Sequence, residues 1–179
     1  MGHDPIGTHT SEHGMEASIL ARPDPEPSSP ESDPLIQVNE SVQSRLRYSR
    51  EDIVSFARLC GDQNVLHHSR SAAQRASYGE IIASGQQTAS HMMGVAASYF
   101  SRSDDGRERE MLTLNFNFAF RRPIFAEQDV LIQWRVREVS PSRTLSGLIG
   151  QLDGTASVGG VPCVIGRGTL LVRPLKVGV

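Results

Sequence analysis

Cysteine is scarce in this sequence: Cys60 and Cys163 are the only two in 179 residues. Neither belongs to a CxxC pair or to a Cys/His group with ligand spacing, so reduced thiols are expected and a thiolate metal site is not. Long apolar runs are also missing. No segment approaches the ~20 residues that a bilayer-spanning helix needs, and the N-terminus lacks the basic start and apolar stretch of a signal peptide. The expectation is a cytoplasmic protein with no membrane partner. A surplus of positive charge is absent too, with a net charge of −2 and a pI near 6.3. No global field exists to draw in nucleic acid, which is therefore not an expected partner. No repeat of 20–50 residues is visible, which argues against a solenoid.

What is present divides into two parts. Residues 1–35 carry His, Ser, Glu and the prolines Pro23, Pro25, Pro27, Pro30 and Pro34, with too few large apolar side chains to offset the entropy of ordering. This part is expected to be a disordered extension, and its scattered His3, His9 and His13 lack a metal-ligand spacing. Residues 36–179 are expected to form a single domain, because the length suffices for one real core but not for two average ones.

Within that domain an extended lead-in runs from Ile36 through Val42 to Leu46. Ser49 followed by Asp52 has the spacing of a capping box, and Ile53, Phe56, Ala57 and Cys60 recur at helical steps until Gly61 stops the helix. A short helix is expected near residues 71–76. A longer one follows over about residues 86–100, where Ala89, Met92, Met93, Ala96, Ala97 and Phe100 cover more than one stripe, as in a helix largely enclosed by other structure. Residues 101–110 read as a charged surface connection. Alternation in Leu112, Leu114, Phe116, Phe118 and Phe120, and again in Val130, Ile132, Trp134 and Val136, predicts two strands. Two more are expected at about residues 143–152 and 162–173, with a turn over residues 153–160. One long helix against an antiparallel sheet is an α+β arrangement.

The chemistry sits between the first two helices. Phe56, Leu59, Cys60, Gly61, Asp62, Asn64, Leu66, His67 and Ala73 reproduce the spacing of a known signature. In these residues the sequence resembles the MaoC-like, (R)-specific enoyl-CoA hydratases and dehydratases. A second segment, Tyr78 to Gly85, resembles the entry of that family into its central helix. Val65 stands where the family usually has proline, so the loop lacks a fixed φ at that position. Ser69 replaces a frequent aspartate and is able to cap the helix after it.

The resemblance implies a hotdog fold, a curved antiparallel sheet wrapped around a long helix, and a homodimer or higher homo-oligomer. It implies that Asp62 and His67 are catalytic and flank the reacting water, and that the Gly85 amide binds the thioester oxygen. The reaction would be reversible hydration of a trans-2-enoyl thioester, with CoA or an acyl carrier as part of the substrate and no separate cofactor. A carboxylate and an imidazole suit this chemistry because they can divide the proton work. Asn64 is expected to orient the loop through backbone hydrogen bonds, and Ser84 to lie beside the substrate or cap the helix. His68 reads as a neighbour with no duty of its own. Taken singly, Asp62 would more often close a turn and His67 would more often be a packed loop histidine; the company of Gly61 and Asn64 reverses both preferences. Arg102, Arg107, Arg121 and Arg122 are candidates to meet phosphates, against the commoner reading of solvated surface. A hotdog thioesterase and a noncatalytic acyl-thioester-binding protein are the competing functions.

Overall fold

The computed structural model describes residues 34–175; the extension expected over residues 1–35 lies, except for its last two residues, outside them. The element order is β1 (Ser41–Arg47), α1 (Arg50–Leu59), α2 (Arg70–Arg75), α3 (Gly85–Phe100), β2 (Arg109–Phe120), β3 (Asp129–Pro141), β4 (Leu148–Val158) and β5 (Val161–Pro174). The strands form one antiparallel five-stranded sheet in the order β1-β3-β4-β5-β2, so β1 and β2 are its edges. Among the described residues no helix is long and apolar enough to cross a membrane.

Each helix start has a local cause. Ser49 Oγ accepts from the Asp52 amide and Asp52 accepts from the Ser49 amide, which completes the capping box of α1. Ser69 caps α2 and Ser84 caps α3, each hydroxyl satisfying an amide that the helix cannot. Helix α3 then lies on the sheet through Thr88, Met92, Ala96 and Phe100, a stripe at four-residue steps that is fully buried. The Trp134 indole donates to the Met92 carbonyl at 2.7 Å, which ties the helix to the middle of the sheet.

The enclosed helix expected from composition is not observed. Ser90, His91, Met93, Gly94 and Ser98 are exposed, because one sheet can cover only one face of a helix. Cys60, expected on the apolar face of α1, is also exposed, whereas Cys163 is buried; Ile53 and Ala57 carry that face. The turn expected over residues 153–160 reduces to Gly159 and Gly160, both at positive φ, and the strand expected from residue 143 starts at Leu148. Gly154 misleads because its role is not to turn the chain. A Cβ there would lie 2.2 Å from Trp134 Cε3, so the glycine makes room for the indole. Gly154→Ala is accordingly expected to lower stability by about 1–3 kcal/mol, the usual cost of overpacking, as read from the denaturant midpoint.

The connection between α3 and β2 is the other departure. Arg109 is buried, with its side chain 0% exposed, and pairs with Asp105 at 2.7 Å and Glu40 at 3.5 Å. Arg107 meets Glu40 at 2.9 Å and Arg102 meets Asp105 at 3.1 Å. This stretch is a half-buried ion network that clamps the chain before β1 onto the end of α3. Arg102 and Arg107 are thereby committed to carboxylates rather than presented to a phosphate.

Candidate active site

The site is built outward from the end of α1. Gly61 takes φ +72°, a left-handed turn that glycine makes without strain. The turn lets the Gly61 amide reach the Arg58 carbonyl at 3.2 Å and the Asp62 amide reach the Ala57 carbonyl at 2.8 Å, a Schellman ending that satisfies two orphan carbonyls. The backbone of Asp62 is thus fixed by the helix before it. Its side chain then organises the loop after it: Asp62 Oδ1 accepts from the Asn64 amide at 2.9 Å. Asn64 Oδ1 accepts from the Leu66 amide at 3.2 Å and caps a 3-10 turn over Val65–His67. That turn delivers His67.

These bonds bring Asp62 and His67 together, with Nε2 of His67 3.6 Å from Oδ2 of Asp62 and both side chains largely buried. On its other edge His67 Nδ1 lies 2.7 Å from the Ile82 carbonyl. A carbonyl can only accept, so Nδ1 carries a proton and the neutral ring has its lone pair on Nε2, facing Asp62. Ile82 is held in turn by its amide on the Leu66 carbonyl at 3.3 Å and by a bridge to Phe125. Glu80 anchors the same segment from below. Hydrogen bonds from Arg50 hold its carboxyl down at about 2.

A cavity of about 670 Å3 opens beside this pair, lined by His67 and Gly85 with Ile82, Ala89, Phe120 and Ile124 among its apolar walls. Asp62 stands behind His67 and does not reach the cavity wall. Gly85 is the first residue of α3 and its amide is one of those left without an intrahelical partner. The Phe120 ring lies against it; a Cβ at Gly85 would come 2.9 Å from Phe120 Cε1. Ser84 is buried and accepts from the Gln87 amide at 3.2 Å, so its hydroxyl is occupied as a cap. Tyr78, Gln86, Thr88, Arg121 and Arg122 are the other polar members of the lining, which among the described residues includes no carboxylate. Of the four arginines singled out by sequence, these two alone share the cavity with His67.

The family model of the MaoC like domain matches residues 28–147, more than half of the chain and all of the loop just described. The chain belongs to the MaoC-like family. No curated protein matches it closely enough to count as a relative. Among solved structures it is similar to an (R)-hydratase from A. caviae involved in PHA biosynthesis, at TM-score 0.66 and 20% identity over 78% of this chain and 98% of that one. It is also similar to an R-hydratase from Pseudomonas aeruginosa, at TM-score 0.64 and 17% identity over 82% and 92%. A third likeness is to a 3R-hydroxyacyl-ACP dehydratase complex from Mycobacterium tuberculosis, at TM-score 0.62 and 17% identity over 75% and 96%. Likeness at such identities is one of fold, and the fold of this MaoC-like chain is the α+β hotdog.

Proposed function

We propose that this MaoC-like protein hydrates the double bond of a trans-2-enoyl thioester to the 3-hydroxyacyl thioester, or runs the reverse dehydration. The observation that supports the reading is the pairing of His67 Nε2 with Asp62 Oδ2 at 3.6 Å, with His67 and Gly85 lining the same largely apolar cavity. That separation leaves room for one water in contact with both groups. His67 Nε2 takes a proton from this water as its oxygen bonds to C3, and the electron pair of the double bond moves toward the thioester carbonyl. The imidazolium so formed faces the Asp62 carboxylate, which stabilises it. The Gly85 amide, at the positive end of α3, meets the oxygen that gains charge. His67 then returns the proton to C2, which balances the addition and restores the neutral ring.

In this reading the apolar walls take the acyl chain, and Arg121 and Arg122 at the rim meet the phosphate of CoA or of a carrier-protein arm. The thioester group arrives as part of the substrate, with no separate cofactor. A second copy of the chain is the proposed partner. Edge strand β2 exposes Leu112, Leu114 and Phe120 and presents a row of backbone groups unpaired within the sheet, a template for pairing across a two-fold axis.

The test is the absorbance of the enoyl thioester chromophore followed across crotonyl, hexenoyl, decenoyl and branched substrates, with free thiol assayed in parallel. Loss of the chromophore without thiol release is the expected result. Thiol release would identify a thioesterase instead, and neither signal with any substrate would leave a noncatalytic binding protein.

A further inference from the structure

We propose that His68 is a positioning residue that holds the Asp62–His67 loop in register. Its Nε2 lies 2.6 Å from the Asp62 carbonyl oxygen. Because that oxygen can only accept, the ring carries its proton on Nε2 and the bond closes a seven-residue ring around both groups of the proposed reaction. The inference rests on the hydratase reading for its kinetic arm only.

The other bonds of the loop run within the turn or hold its far end at His67 and Leu66; none of them reaches the Asp62 carbonyl. Gln63, Asn64 and Val65 are exposed, Val65 by 58%, so packing does not fix the chain between Asp62 and His67. Rotation of the Asp62–Gln63 peptide unit would carry the Asn64 amide away from the Asp62 carboxylate that it anchors, and a free carbonyl would let that unit turn. The His68 bond removes this freedom at one end while the helix ending at Gly61 removes it at the other. Proline at position 65 would achieve a similar restraint by fixing φ, and this chain has Val65 there. The backbone would accept proline. Asn64 has φ −63° and ψ 115°, the extended region required of a residue before proline, and position 65 is the first of its turn, where the missing N–H costs nothing.

The mechanism predicts a specific pattern of variants. His68→Leu should lower kcat about tenfold, part of the roughly hundredfold cost of a 1 Å misplacement, with KM within about twofold and the thermal midpoint nearly kept. His68→Gln, which carries an amide N–H close to the place of Nε2, should restore most of the loss. Adding Val65→Pro to His68→Leu should restore it by the other route. NMR supplies a readout independent of turnover: wild-type His68 should show the Nε2–H form in long-range 15N spectra, and His68→Leu should move the Asn64 amide resonance as its bond to Asp62 weakens, while His68→Gln leaves it in place. Absence of hydration by the wild type together with these NMR signatures would sink the hydratase reading and keep the positioning role. Unchanged kcat and an unchanged Asn64 amide resonance in His68→Leu would overturn the role, as would equal losses in the Leu and Gln variants.

Discussion

Asp62→Asn and His67→Ala are each expected to lower the turnover of a good enoyl thioester substrate by at least about a hundredfold, the lower end for a lost acid–base group. Asparagine keeps the Oδ1 acceptor that the Asn64 amide uses and removes only the charge that would face the imidazolium. The thermal midpoint should therefore stay near that of the wild type, and KM should move much less than kcat. His67→Ala deletes the lone pair itself and leaves the Ile82 carbonyl without its donor, so its thermal midpoint should fall by a small amount as well. The double variant should be hardly slower than either single one, since two groups that handle one water act as a unit and their effects do not add. Steady-state kinetics with circular dichroism melting decides the matter: near-normal turnover in both single variants removes these residues from the reaction.

Arg109→Met is expected to destabilise the fold by about 3 kcal/mol or more, because it strands buried carboxylates rather than merely losing a contact. The guanidinium donates to the Leu35 carbonyl, to Asp105 and to the Tyr99 carbonyl, and it stands 3.5 Å from Glu40, whose side chain is 5% exposed. Methionine fills much of the volume but answers none of these acceptors. For a chain of this size the loss corresponds to roughly 6–12 °C in Tm. The control is Arg173→Ala, which breaks the ion pair to Glu110 between side chains about one-third exposed and should cost under about 1 kcal/mol. Equal losses for the two variants, in thermal melts and in urea, would show that burial of the Arg109 network contributes nothing special.

The legible parts of this molecule are those whose hydrogen bonds close within a few residues. Ser49 with Asp52, Gly61 as a helix stop, Ser69 and Ser84 as caps, and the alternation in β2 and β3 all appear in the sequence because the interactions that cause them are local. The spacing of Asp62, Asn64 and His67 is of the same kind, since one helix ending and one turn suffice to bring two side chains to 3.6 Å. What only tertiary structure decided depends on partners far along the chain. Gly154 reads as a turn until the Trp134 ring is seen above it, and Arg109 reads as surface until Glu40 arrives from the lead-in to β1. The exposed face of α3 follows from how much one sheet can cover. The tautomer of His67 is set by the carbonyl of Ile82, fifteen residues on. Local sequence specifies which groups can meet across a turn, whereas burial and proton placement depend on long-range contacts whose free energy exists only once the whole sheet has closed over the helix.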